Sequence, residues 1–233
     1  MLLRNYFKDY KSMDERWKIS LASVVLSITS TILFLGLVYY FYKLQGNFLI
    51  DKRAIDYINH IQGKGLDTFF KTITTIGDPL TIIIMSLLIL VIFYYNKFLK
   101  DGIYFVINII GVWLFNELLK FIFKRERPIL KVIEVRGYSL PSGHAMVFTA
   151  FSLMCVYFIS IKIKSSTLRN ISILLIITLN FLVGISRVYL RVHFLSDVIA
   201  GWCAGVLWSG IGIIIHRYMY YKSKVKLSND EAK

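Results

Sequence analysis

Cysteine and acidic side chains are scarce in this chain, with two Cys and 14 Asp or Glu among 233 residues. The two cysteines, Cys155 and Cys203, both fall inside apolar runs. That placement excludes a disulfide framework and a zinc cluster and leaves buried apolar thiols. Charge is also thin: 18% of residues are Asp, Glu, Lys or Arg, and mean hydropathy is +0.60. A soluble domain carries about a quarter charged residues, so this much apolar surface needs a solvent other than water. The shortage of acids leaves a net charge of +14. A nucleic-acid partner does not follow, because the basic residues cluster at the ends of apolar runs, as beside an anionic bilayer, rather than along one soluble face.

What the chain has is long stretches free of charge. Residues 19–42, 79–96, 145–161, 170–186 and 198–216 contain no Asp, Glu, Lys or Arg, and 102–123 contains only Glu117 and Lys120, near its far end. Crossing a ~30 Å hydrocarbon core takes ~20 apolar residues, so these six runs read as transmembrane helices. The fourth and fifth are short and should extend into their flanks. Arg4, Lys8, Lys11, Arg16 and Lys18 precede the first run. That run is too long for a signal peptide, and no small-x-small cleavage site follows it. The expected fold is all-α: a polytopic membrane domain over 19–221, with a cytoplasmic N-terminal segment 1–18 and a solvated cytoplasmic tail 222–233.

Residues 44–78 are more than a loop. Phe48, Leu49, Ile50, Ile55, Ile58 and Ile61 recur at roughly helical spacing, as do Leu66, Phe69, Phe70, Ile73 and Ile76. Two short interfacial helices would bury such faces. Gly77-Asp78-Pro79 then ends one helix and starts the next span. Orientation follows from Lys and Arg counts. With the N-terminus inside, fifteen lie inside and thirteen outside. Setting aside three placed for chemistry leaves ten outside and favours cytoplasmic termini.

Span parity brings three polar clusters to one membrane face. The third span ends in Lys120 and runs into Lys124, Arg125, Arg127 and Pro128. The fourth starts after Pro141-Ser142-Gly143-His144. The link between the fifth and sixth holds Ser186, Arg187, His193 and Asp197. A span that exits, one that enters and a link between the next pair share a side in either orientation. Lys120, Arg127 and Arg187 would concentrate positive charge that repels metal cations and binds phosphate, with arginine offering a planar fork of donors. Ser142 and Gly143 sit at a helix start, where free N–H groups favour an anion. His193 and Asp197, spaced i,i+4, suit a nucleophilic imidazole oriented by a carboxylate. His144 suits a general acid and base. Glu117, one turn before Lys120, would orient it. Lys124, Arg125 and Arg136 read as a solvated rim, Arg191 as a candidate substrate contact, His60 as a surface histidine and His216 as a helix C-cap.

Lys-x6-Arg-Pro over 120–128, Pro-Ser-Gly-His over 141–144 and Ser-Arg-x5-His-x3-Asp over 186–197 stand in order, with no departure at a motif position. This tripartite signature resembles the type 2 phosphatidic acid phosphatase superfamily. The six-span layout resembles its membrane branch, such as bacterial phosphatidylglycerophosphate and undecaprenyl-diphosphate phosphatases. The resemblance implies His193 as nucleophile, Asp197 as its orienter and His144 as general acid. It further implies Lys120, Arg127, Ser142, Gly143 and Arg187 as phosphate ligands, with no metal and no cofactor. The expectation is a lipid phosphatase of the plasma membrane whose partners are the bilayer and a lipid phosphate, acting at the extracytoplasmic face through a phosphohistidine. A lipid phosphotransferase built on the same site is the alternative. An anionic-lipid transporter is disfavoured, because no inverted repeat or midplane site is visible.

Overall fold

The computed structural model describes residues 13–231, and their side chains from 21 to 222; most of the basic segment 1–18 lies outside the described residues. Among them are eight α-helices: α1 (Met13–Lys43), α2 (Leu49–Ile61), α3 (Lys64–Thr74), α4 (Pro79–Tyr95), α5 (Leu99–Phe123), α6 (Gly143–Lys162), α7 (Ser166–Tyr189) and α8 (Leu195–Glu231). Five of them, α1, α5, α6, α7 and α8, are long and apolar enough to cross a membrane. α4, with 17 residues, is shorter. It makes a sixth span when taken with α3, to which it is joined by a 49° bend.

Local chemistry explains most of the helix ends. Pro79 opens α4 at a position where its missing N–H costs nothing. The runs 145–161 and 170–186 do extend, and a serine starts each: Ser142 Oγ accepts from Ala145 N, and Ser165 Oγ accepts from Leu168 N. α5 ends at Lys124, whose left-handed backbone (φ 46°) lets its N–H return to the Lys120 carbonyl at 3.0 Å. That turn sends the chain back over the bundle end and sets Arg125 and Arg127 against it. α8 runs on without a break through 216 to Glu231. His216 is therefore a buried mid-helix residue rather than a C-cap, and residues 222–231 of the expected tail continue the helix.

α8 is flanked by α1 and α6, α6 by α7 and α5, and α5 by α4. Within a bilayer, helices associate through close packing, for which small residues are suited. Gly201 and Gly205 show this at the α6–α8 contact. A Cβ at Gly201 would lie 2.8 Å from the Ser142 carbonyl oxygen, and one at Gly205 would lie 2.6 Å from that of Met146. Bare backbone here lets the two helices carrying His144 and Asp197 touch. Val112, Met146, Met154 and Val183 fill the interior, while Leu80, Leu88, Leu114 and Leu174 stand exposed on outer faces that hydrocarbon would cover. α2 and α3 are both present and lie across the ends of α7 and α8. Phe70 of α3 stacks on Tyr189 at 4.3 Å, and the Tyr189 hydroxyl donates to Asp67 at 2.8 Å.

Candidate active site

The three polar clusters meet at one end of the bundle. Ser142 N donates to the Asp197 carbonyl at 3.0 Å, joining the second cluster to the third, and an Arg127–His193 contact joins the first to the third. His193 sits in the turn between α7 and α8. Its backbone N–H, like that of Val192, bonds the Arg187 carbonyl at 3.2 Å. Nδ1 lies 2.8 Å from the Ser139 carbonyl oxygen, and Nε2 lies 3.0 Å from Arg127 Nη1. A carbonyl only accepts and a guanidinium only donates, so the ring carries its proton on Nδ1 and a lone pair on Nε2. Burial pushes the imidazole down to about 3, against the opposing pull of Asp197, so the lone pair is available throughout the neutral range.

Asp197 does not hold His193 in the way its i,i+4 spacing suggests. The carboxylate stands 3.7 Å from Nδ1, beyond hydrogen-bond reach, and the Ser139 carbonyl takes the ring proton instead. The reason is local: α8 begins only at Leu195, so the two side chains do not share a regular helical turn. Ser139 Oγ donates to Asp197 Oδ2, which also accepts from Phe194 N at 2.9 Å, so the carboxylate acts largely through Ser139 and the turn.

Behind Asp197 lies an ion-pair network. Arg125 is buried, not a solvated rim: its Nη1 lies 2.6 Å from Asp197 Oδ1, and its Nη2 lies 2.7 Å from Asp51 Oδ2. The guanidinium also donates to Ser196 Oγ and the Gly46 carbonyl and lies 4.2 Å from the Phe194 ring centroid. Asp51 in turn accepts from Ser196 N at 2.8 Å in the first turn of α8, a favourable place for a carboxylate. One arginine thus ties α2 and the end of α1 to the residues beside His193.

The cations stand around the opposite side of His193. Arg127 is held by the carbonyls of Val192, Gly137 and Arg136, and burial lowers its pKa from the usual arginine value. Arg187 is buried with Nη1 on Thr74 Oγ1 at 2.6 Å, while its Nε has no partner among the described residues. An unused donor on a buried guanidinium is costly unless an anion completes it. Lys120 Nζ lies 2.8 Å from Glu117 Oε1, the contact their spacing suggested. Gly143 lies against both Lys120 and Asn116: a Cβ there would come 3.5 Å from Lys120 Nζ and 3.0 Å from Asn116 Oδ1. Ser142 is fully buried, its hydroxyl serving as the N-cap acceptor of α6. His144 Nε2 pairs with Asp78 Oδ1 at 2.8 Å. Arg191 bonds Gln62 Oε1 of the α2–α3 link.

Ser139, Arg125, Asp51, Thr74 and Asp78 are the partners that motif reading passed over. The two aspartates stand with Asp56 and Asp67 in the same segment, so composition did not single them out. Nothing local distinguished Ser139.

A polytopic helical bundle that gathers three cations and two imidazoles at one end belongs to a recognisable class, the membrane proteins that handle phosphate esters. The family model of the PAP2 superfamily matches residues 101–222, just over half of the chain, and the chain belongs to that superfamily. It is 34% identical over 118 residues to phosphatidylglycerophosphatase B of Bacillus subtilis, a match covering 49% of this chain and 57% of that relative's length. It is 27% identical over 184 residues to the lipid A 4'-phosphatase of Porphyromonas gingivalis, covering 72% of each. The crystal structure of a transmembrane PAP2-type phosphatidylglycerolphosphate phosphatase from Bacillus subtilis superposes with a TM-score of 0.75 at 24% identity. That match covers 82% of this chain and 96% of the other, and establishes the shared fold.

Proposed function

We propose that this protein is an integral membrane phosphatase that hydrolyses phosphate monoesters or diphosphates of lipids through a phosphohistidine. The observation that carries the reading is the state of His193: Nδ1–H is locked on the Ser139 carbonyl, and the Nε2 lone pair faces Arg127. An imidazole so held is a nucleophile with its orientation set in advance.

In the first step Nε2 attacks phosphorus in line. The P–O bond to the leaving group breaks, and the His144 proton goes to the departing oxygen. Arg127, Arg187 and Lys120 stabilise charge on the equatorial oxygens, with the Gly143 backbone N–H beside them. Arg127, which occupies Nε2 in the free site, is placed to transfer its hydrogen bond to a phosphate oxygen and release the lone pair. In the second step water attacks phosphorus and gives its proton to His144, the P–N bond breaks, and orthophosphate leaves. Clustered cations supply the charge neutralisation that a divalent metal supplies elsewhere, which supports metal-independent turnover.

Support for a lipid substrate comes from the setting. The site caps a bundle with apolar outer faces. The names of the similar proteins above point to phosphatidylglycerophosphate and lipid A; the candidates expected from sequence are phosphatidate, phosphatidylglycerophosphate and isoprenoid diphosphates. The bias of basic residues supports cytoplasmic termini and an extracytoplasmic site in the plasma membrane.

The test is phosphate release from a panel of these lipids by detergent-purified protein in EDTA. We expect turnover by the wild type and none by His193→Ala. Undiminished turnover by that variant, or strict dependence on added Mg²⁺, would refute the mechanism. Label from a ³²P-donor lipid appearing on a second lipid rather than as orthophosphate would reassign the protein as a phosphotransferase.

A further inference from the structure

The α3–α4 break makes a wall of the site that none of the three motifs contains. Thr74, at the end of α3, receives the Arg187 guanidinium at 2.6 Å. Four residues on, Asp78 receives His144 Nε2 at 2.8 Å. Gly77 packs between them, where a Cβ would fall 2.6 Å from Val183 Cγ1 and 3.0 Å from the His144 ring. Bare backbone at Gly77 therefore lets this junction seat against α6 and α7.

Asp78 occupies the N-cap position of α4, where an aspartate ordinarily accepts an N–H of the first turn. It makes no such bond. The carboxylate instead points across to His144, 66 residues away. The fold forgoes that cap for a contact with a histidine beside the phosphate cradle.

We propose that Asp78 is the positioning residue of His144, so that the site contains a second oriented imidazole besides His193. This rests on the reading of His144 as the acid and base of the reaction. Asp78 accepts Nε2–H, so the proton exchanged with the leaving oxygen and then with water is carried by Nδ1. Two cations stand nearby: Lys120 lies against Gly143, next to His144, and Arg187 is held on Thr74, four residues before Asp78. Asp78 is the carboxylate that offsets them and supports the imidazolium His144 must become. The cradle needs its cations to bind phosphate, and without a local anion those same cations would disarm the general acid.

Leaving-group dependence tests this separately from structural damage. An alkyl phosphate lipid has a poor leaving group that needs protonation, whereas p-nitrophenyl phosphate has a good one that does not. We expect Asp78→Asn to lower kcat/KM on the lipid by roughly 10-fold or more and on p-nitrophenyl phosphate by less than about threefold. Asp78→Glu should restore part of the lipid activity. The ratio of the two substrates is independent of the fraction of folded enzyme, so poor folding of the variant does not obscure it. We also expect the alkaline limb of the lipid kcat/KM profile, which reports loss of the His144 proton, to move to lower pH in Asp78→Asn. An equal loss on both substrates, no loss on either, or a gain would overturn the assignment while leaving His193 chemistry intact. A wild type that releases no phosphate from either substrate would overturn the parent reading and this one with it.

Discussion

Each end of this bundle buries a histidine among charged partners, and the two sites differ in how the charges close. At the far end, His216 is held on both nitrogens, by the Tyr157 hydroxyl at 2.9 Å and Asp101 at 3.2 Å, and Lys162 pairs with the same aspartate at 2.7 Å. One carboxylate, one ammonium and one ring complete each other. At the near end, His193 has its proton satisfied by a carbonyl, but its lone pair meets a cation, and a neighbouring buried guanidinium keeps an unused donor. The first arrangement is closed and stabilises helix packing. The second leaves a lone pair against a cation and a buried donor open, and on the proposed function a phosphate oxyanion completes it. The two histidines lie 23 positions apart in sequence and roughly 30 Å apart along α8, so variants at one should not disturb the other directly.

Substituting the two histidines gives the sharpest contrast. His193→Ala should reduce phosphate release by roughly 10⁴-fold or more, as loss of a nucleophile does. His216→Gln should leave kcat/KM within about threefold while costing on the order of 1–3 kcal/mol of stability, read as a lower melting temperature in detergent. A catalytic loss at His216 comparable with that at His193 would erase the distinction between the ends.

Next in size is the network behind Asp197. Arg125→Met leaves the buried carboxylates of Asp51 and Asp197 uncompensated and should cost about 3–5 kcal/mol. Adding Asp51→Asn should recover part of that loss, a coupling that a double-mutant cycle in detergent would measure. A smaller effect is expected at the cradle. Arg187→Lys keeps the charge but loses the fork of donors, and should weaken inhibition by orthovanadate by about 10–100-fold.

The pH dependence of stability provides the subtlest comparison. An unfolded histidine titrates near 6.5, while burial holds His193 at about 3 in the folded protein. Between these values the unfolded chain binds the extra proton. The stability associated with neutral His193 is therefore complete above about pH 6.5 and declines as pH falls toward 3. His193→Asn, which cannot take that proton, should flatten this part of the melting-temperature profile. An unchanged acid slope would mean that His193 takes up its proton in the folded protein as readily as in the unfolded chain.

Much of this architecture was legible before any coordinates. Charge-free runs marked the helices, because each residue must meet either lipid or another helix, and that requirement is local. The short runs at 145–161 and 170–186 extended as helix length demanded. Amphipathic spacing marked α2 and α3. Where the reading failed, it lacked distance information. Arg125 and Arg127 are two residues apart and chemically alike, yet one is locked into a carboxylate network and the other contacts His193, a difference that nothing in the local sequence marks. His216 lies near the end of the last apolar run and reads as a C-cap, but the helix continues to Glu231.

Sequence by itself determined the solvent, the number of apolar runs, and the fact that residues 120, 144 and 193 share a membrane face, since span parity and residue chemistry need no packing detail. Only the tertiary structure decided which atoms restrain the two imidazoles. Those choices belong to Ser139 and Asp78, while Asp51 and Thr74 hold Arg125 and Arg187 beside them, and all four reach the site from other segments. Hydrogen bonds act over about 3 Å, and an error of one residue in helix register would separate such partners completely.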